Sequence, residues 1–293
     1  MTRSGSAARF HPRIRSKEKF REVRISNRQR AIPDSDFSLP QSDCWILPSA
    51  RLRYSGIGLR APILLQDKLE QVESRIARAA ARAGRKRSDI LLVAVTKKFP
   101  AAAIREAYAL GLRDFGENYV QEFDAKHAEL ADCAGARYHF IGHLQSNKSK
   151  KAAEIFDVVH TLDSAKIARR LDGDAAGPGP GPGKAPGIEV LIEVKLSTEP
   201  AKAGVAPGEA PAIVEAILGC PHLRLLGLMT MPPWSDDAEK SRPYFARLRE
   251  LAAENSLQHL SMGMSHDLEV AIEEGATMVR VGTALFGPRG KPG

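Results

Sequence analysis

Apolar and polar positions along the chain fall into two rhythms. From residue 64 to 83 apolar side chains return every three to four positions (Leu65, Leu69, Val72, Ile76, Ala79, Ala80), which is the spacing of one helix face, and Gly84 supplies a stop. Residues 91–100, LLVAVTKKFP, follow another rule: a short, continuous apolar run that ends in two lysines, an aromatic and a proline. Short length, β-branching and the bounding turn residues favour a strand. Apolarity without alternation predicts burial on both faces, as in a parallel sheet covered by helices.

The same exchange of helix and strand then continues. A helix over 101–110 closes at Gly111, a short strand over 113–115 meets Gly116-Glu117-Asn118, and a helix over 119–130 follows. Strand 138–141, helix 144–155, strand 158–160 and helix 164–171 come next, with Asp163 as the expected N-cap of the last. The stretch 177–187, GPGPGPGKAPG, is too poor in apolar residues to pack. It reads as a surface loop rather than a domain boundary, because the alternation resumes at once: strand 188–194, helix 209–218, strand 223–228, helix 238–255, strand 258–261, helix 266–274 and strand 278–281. Eight strands alternating with helices predict a single α/β (β/α)8 TIM barrel over residues 62–293, with a doubly wound open sheet as the competing arrangement.

Charge changes the picture at one end only. The net charge of +8 comes from residues 1–61, which hold 13 Lys/Arg against 5 Asp/Glu and leave 30 of each from Pro62 onward. A neutral body without aromatic and basic residues interleaved gives no footprint for nucleic acid. The basic extension 1–61 has no packable period and is expected to be disordered. Its Arg- and Ser-rich start resembles a transit peptide, against which stand Glu18, Glu22, Asp34, Asp36 and Asp43; a start upstream of the true one is an equal reading. No secretory apolar segment is visible, and no apolar run reaches the ~20 residues of a membrane span. Cys44, Cys133 and Cys220 are odd in number and widely spaced, which fits reduced thiols in a cytoplasmic compartment.

In a barrel, residues just past each strand share one mouth. Here that set contains Lys97, Asn118, Gly142, the region of Lys195, Met229 to Met231, Ser261 to Ser265, and Arg280 to Thr283. A lysine in a dry pocket can lose its proton and attack a carbonyl. Strand alternation admits only one of Lys97 and Lys98, but burial on both faces hides the pattern that would say which. SMGMS and VRVGT put glycine and hydroxyl residues where barrels hold phosphate with backbone N–H groups, although such glycines also serve as plain turns. Arg280, set among Met278, Val279 and Val281, must reach the mouth or be paired inside. His139 and His143 lack a third ligand for zinc, and contiguous Ser265-His266-Asp267 cannot align as a catalytic triad.

Six motifs, AVTKKFP, FGENYVQE, HFIGHLQSNK, GLMTM, SMGMS and MVRVGTALFG, in this order and spacing, closely resemble the pyridoxal 5′-phosphate homeostasis protein family, the YggS/PROSC group, from about Leu64 to Gly290. The resemblance implies a single barrel similar to the N-terminal domain of alanine racemase, with pyridoxal 5′-phosphate (PLP) held as an aldimine of Lys97. It further implies that Ser265, Gly282 and Thr283 bind the phosphate, that Met264 lies near the ring, that Arg280 faces the pyridine nitrogen, and that Asn118 lines the site. Thr96 and Lys98 replace a serine and a threonine of the family pattern, so a second amine stands beside Lys97. The implied function is a cytoplasmic, monomeric PLP carrier that buffers the cofactor or delivers it to PLP-dependent apoenzymes, with no membrane or nucleic-acid partner. The alternative is a PLP-dependent amino-acid racemase. Against it, alanine racemase draws a second acid/base tyrosine from a domain that follows the barrel, whereas thirteen residues follow Arg280 here, and Met231 takes the place of a histidine under the ring.

Overall fold

The computed structural model describes residues 64–177, 187–199 and 203–288; the extension 1–61 and most of the Gly/Pro stretch lie outside the described residues. Eight parallel strands, β1 (Leu91–Val95), β2 (Asp114–Glu117), β3 (Arg137–Phe140), β4 (Val158–Leu162), β5 (Ile188–Glu193), β6 (Leu223–Met229), β7 (His259–Met264) and β8 (Met278–Val281), each pair with the next. The ring closes where β1 pairs β8, with Leu91 opposite Met278 and Val93 opposite Arg280. Outside it lie α1 (Leu65–Arg82), α2 (Ala101–Ala109), α3 (Val120–His127), α4 (Ser149–Ile155), α5 (Ala165–Asp174), α6 (Ala210–Leu218), α7 (Arg242–Glu254) and α8 (Leu268–Glu273), and a single turn, α9 (Thr283–Phe286), follows β8.

The strands are apolar on both faces because both are covered. Leu92 and Ala94 belong to the large cluster between sheet and helices, together with Val72 and Ile76 of α1 and Phe123 of α3. A second, smaller cluster of Val158, Leu191, Leu226, Met229 and Met278, with Leu91 against it, fills part of the barrel interior. The remaining interior is polar, and the functional residues come from there. α1 is fastened to the far end of the chain by charge as well as packing. Arg75 binds Glu269 of α8, and Arg85 donates to the carbonyls of Ile272 and Ala276.

Element boundaries depart from the sequence expectation in ways that have physical causes. β4 and β7 run on to Leu162 and Met264 through irregular register, past points where Thr and Gly look like strand ends. Within β7, Gly263 has φ +88°, and a Cβ there would lie 2.5 Å from that of Ala271, so the bulge needs glycine. The helix expected over 144–155 begins only at Ser149, after a 3-10 turn at Ser146–Lys148. Ser164, not Asp163, caps α5: its Oγ accepts from Ile167 N, while Asp163 is drawn away to His143 Nδ1 at 3.3 Å. β5 lies between β4 and β6, so the Gly/Pro stretch joins two neighbouring parts of one barrel.

Candidate functional site

Strand parity decides between the two lysines. A Cβ built on Gly116 would lie 3.1 Å from Val93, 3.4 Å from Val95 and 3.2 Å from Ile141, so these side chains share the barrel interior, and Leu91, Val93 and Val95 point inward. Lys97 continues that series and lines a cavity of about 520 Å³ at the strand C-termini. Lys98 is exposed with φ +65°, and its backbone N–H is held by Glu122 Oε1 at 2.6 Å. All seven residues singled out from the sequence, Lys97, Asn118, Met264, Ser265, Arg280, Gly282 and Thr283, line this one cavity.

Behind Lys97 the turn is clamped from below. Lys126 of α3 is buried and places Nζ 2.8 Å from Glu117 Oε1, 3.0 Å from the Phe99 carbonyl and 3.3 Å from that of Thr96. Thr96 Oγ1 donates to Glu117 Oε1 at 2.7 Å. Burial pushes the Glu117 carboxyl up from the usual range; Lys126 and Thr96 pull the other way. The sequence reading missed this clamp, although a signal existed: Val120, Phe123 and Lys126 form the buried stripe of α3, and a lysine on an apolar stripe requires a partner.

At the β7 and β8 ends the backbone supplies the donors. Ser265 Oγ accepts from Gly282 N at 3.3 Å and Ala284 N at 3.2 Å, where α9 begins. The β7 loop is pinned by Asp267, which accepts from Met264 N at 2.7 Å and from Ser241 Oγ, and by Arg75, which donates to the Ser265 carbonyl. Ser265 and Asp267 therefore face different partners. His266 packs against Trp234, so the three contiguous residues do not converge. A Cβ on Gly282 would come within 3.3 Å of Val95 Cβ, which keeps this floor of the cavity open only to glycine or a shifted neighbour. Asn118 Oδ1 is buried without a hydrogen-bond partner. Gly142 lets the chain pass it, since a Cβ there would meet the Asn118 carbonyl oxygen at 2.1 Å.

Arg280 is 4 % exposed, and among the described residues no carboxylate forms an ion pair with it. Its guanidinium donates to Ser261 Oγ at 2.6 Å and to the Thr230 carbonyl at 3.0 Å. Burial lowers its pKa to about 10, partly offset by Asp267 and Glu193, and it stays a cation at neutral pH. Ser261 continues a chain of bonds across the interior: Oγ lies 2.8 Å from His160 Nδ1, His160 Nε2 lies 2.9 Å from His139 Nδ1, and His139 Nε2 lies 2.9 Å from Asp114 Oδ1. With both rings neutral, one set of donors satisfies every link. Arg280 and Ser261 each donate onward, His160 and His139 each accept at Nδ1 and donate at Nε2, and Asp114 accepts last. Burial, His139 and Arg280 all push the His160 pKa well below its ordinary value, in keeping with the neutral ring this order requires. His139, considered as half of a metal pair with His143, is thus committed to the interior. His143 lies at the rim.

Residues 68–290 match the family model described as alanine racemase, N-terminal domain. A pyridoxal phosphate homeostasis protein of Pseudomonas aeruginosa is 48% identical over 227 residues, covering 77% of this chain and 96% of the relative. PipY of Synechococcus elongatus, solved with and without PLP, superposes with TM-scores of 0.66 and 0.67 at 39% identity, covering 76% of this chain and all of PipY. An alanine racemase of Corynebacterium glutamicum, at 19% identity and a TM-score of 0.51, shares the barrel fold. Motif order, closed barrel and near full-length identity agree, and the chain belongs to the pyridoxal phosphate homeostasis protein family.

Proposed function

We propose that this chain holds PLP at the barrel mouth through Lys97 and keeps it available to other proteins, rather than turning over a substrate. The observation that carries the reading is the single cavity in which Lys97 meets the Ser265–Gly282–Thr283 cradle and Arg280. PipY, bound to PLP in its solved structure, supports it.

The residues fit the group. Gly282 N and Ala284 N already point at one oxygen, Ser265 Oγ, where α9 begins, so phosphate oxygens would find backbone donors there. Thr283 would add its hydroxyl, Met264 an apolar wall, and Asn118 Oδ1 a free acceptor. When bound, PLP supplies an aldehyde that captures a primary amine and a ring that draws electrons most strongly when its nitrogen is protonated. Arg280 would face that nitrogen. A guanidinium fixed by Ser261 and Thr230 cannot accept a proton and repels one, so the ring is kept a weak electron sink. Arg280 therefore favours storage over racemisation. The reading extends to a monomeric, cytoplasmic carrier that passes PLP to apoenzymes. Among the described residues no helix is long and apolar enough to cross a membrane.

Borohydride reduction of the PLP-loaded protein followed by peptide mapping tests the site: the pyridoxyl group is expected on Lys97. Label on Lys98 overturns the assignment. Turnover of L-alanine to D-alanine at ordinary enzymatic rates, on the order of 1 s⁻¹, overturns the carrier reading.

A further inference from the structure

Beside the Lys97 cavity lies a second chamber of about 530 Å³, a size typical of small-molecule sites. The two share Asn118, Ile141, Met231, Trp234 and Met264 as a common wall. The carrier reading uses only Asn118 and Met264 of the shared wall and nothing else of the second chamber.

Its floor holds an unusual group. Glu193, the last residue of β5, is 4 % exposed and lines the chamber, and its backbone carbonyl accepts from Val205 N while its side-chain carboxyl makes no hydrogen bond or ion pair with any described residue. Burial pushes its carboxyl up, while the charges of Arg280 and His143 pull it down. Neither is a contact partner: the Arg280 guanidinium bonds Ser261 and Thr230, and His143 pairs with Asp163. A buried carboxylate without a partner is costly, and proteins tolerate one mainly where function supplies the partner. Two further oxygens on the same walls, Asn118 Oδ1 and Ser197 Oγ, are also buried and unbonded. Lys195 and Glu199 add one charge of each sign, so the charge left over is that of Glu193.

One carboxylate and two neutral oxygens call for a cation with several N–H donors. An ammonium has three donors and no acceptor. Among the described residues there is no group of three His, Cys, Asp or Glu side chains that could hold a metal ion. We propose that the second chamber is a binding site for a small primary amine, whose ammonium is seated on Glu193 with Asn118 and Ser197 accepting its other hydrogens. Met231 and Met264 line both this chamber and the neighbouring cavity in which PLP would be held.

The test uses the full chain freed of PLP and labelled at its six methionine methyl groups, with n-propylammonium chloride as probe. Saturable shifts of the Met231 and Met264 resonances are expected with the amine and not with 1-propanol, its neutral counterpart. Glu193→Gln, close to isosteric, should weaken the amine titration at least tenfold, and Ser197→Ala by less. Identical titrations of wild type and Glu193→Gln, or equal responses to amine and alcohol, overturn the proposal. Because the titration is read without PLP, a failure to load the cofactor bears on the carrier reading alone.

Discussion

Two regions of the barrel meet at Lys97 and Arg280, and they are built on opposite plans. The rim formed by the ends of β7, β8 and β1 works with backbone N–H groups, glycines and hydroxyls close in sequence to one another: Ser265, Gly282 and Ala284 face each other through contacts 17 to 19 residues apart. The interior beneath works with buried charges and imidazoles joined over long separations, up to the 101 residues between His160 and Ser261. The rim lines the open cavity, so its residues are expected to matter for binding and little for folding. Each interior group is another's partner, so removing one should strand its neighbour in a dry place.

The largest effect tests the rim. Lys97→Ala should abolish the borohydride-fixed cofactor completely, with the melting temperature of the PLP-free protein essentially unchanged. Lys98→Ala should keep the label, because Lys98 faces solvent and its role in the turn is played by its backbone N–H to Glu122. Intact-mass measurement of the reduced proteins separates the cases; a Lys97→Ala protein that still carries the label would show that the rim is not organised around Lys97.

The clamp should show the reverse pattern. Lys126→Met leaves the fully buried Glu117 carboxylate without its cation and should cost about 3–5 kcal/mol in urea unfolding. Joint replacement of Glu117 by Leu and Lys126 by Met should recover much of that loss, since a packed apolar pair of similar volume is often no worse than a buried ion pair. A double variant as unstable as the single one would mean that the carbonyls of Thr96 and Phe99, rather than the charge pair, set the cost.

How legible each plan was in the sequence follows from the same contrast. Residues of the rim sit in compact motifs at strand ends, and the eight-strand count needed only the exchange of apolar runs with helical stripes, so the barrel and the strand-end set could be read directly, while the choice of seven lining residues within it came from the family resemblance. The choice of Lys97 over Lys98 was hidden by two-sided burial. It became readable only once Val93 and Val95 were seen against Gly116. His160, inside VVHTL, and Lys126, on the stripe with Phe123, were visible as polar residues in apolar company. Their partners were not, because nothing local ties β4 to β7 or α3 to the turn after β1. Asp163 misled for a related reason: its sequence position suits a cap, but the His143 ring across the rim claims it.

Breaking the interior chain at His160 should have a smaller effect than breaking the clamp, since His160 makes no ion pair. His160→Phe removes the acceptor of the Ser261 hydroxyl and the donor to His139, two buried bonds, and should destabilise by about 1–3 kcal/mol. PLP affinity should fall as well, because Ser261 is one of the two groups that orient Arg280. If His160→Phe kept both stability and affinity, the chain of bonds would be a consequence of packing with no hold on Arg280.

The smallest effect concerns pH and comes from His160 itself. Its folded pKa lies well below the ordinary histidine value of 6.5, held down by burial and by His139 and Arg280. Above 6.5 the ring is neutral in both folded and unfolded chains, and pH makes no difference through it. Below 6.5 the unfolded chain binds a proton that the folded chain refuses, so stability is lost as pH falls, down to the folded pKa. The slope for one such proton approaches about 1.4 kcal/mol per pH unit. Carboxylates titrate in the lower part of this window, so the informative quantity is the difference between wild type and His160→Phe. Urea unfolding of the two proteins between pH 7 and pH 5 should show the wild type losing stability faster, with the gap opening below 6.5. Parallel curves would mean that His160 takes up its proton in the folded barrel too, and the donor order from Arg280 to Asp114 would then have to be redrawn with a charged ring at its centre.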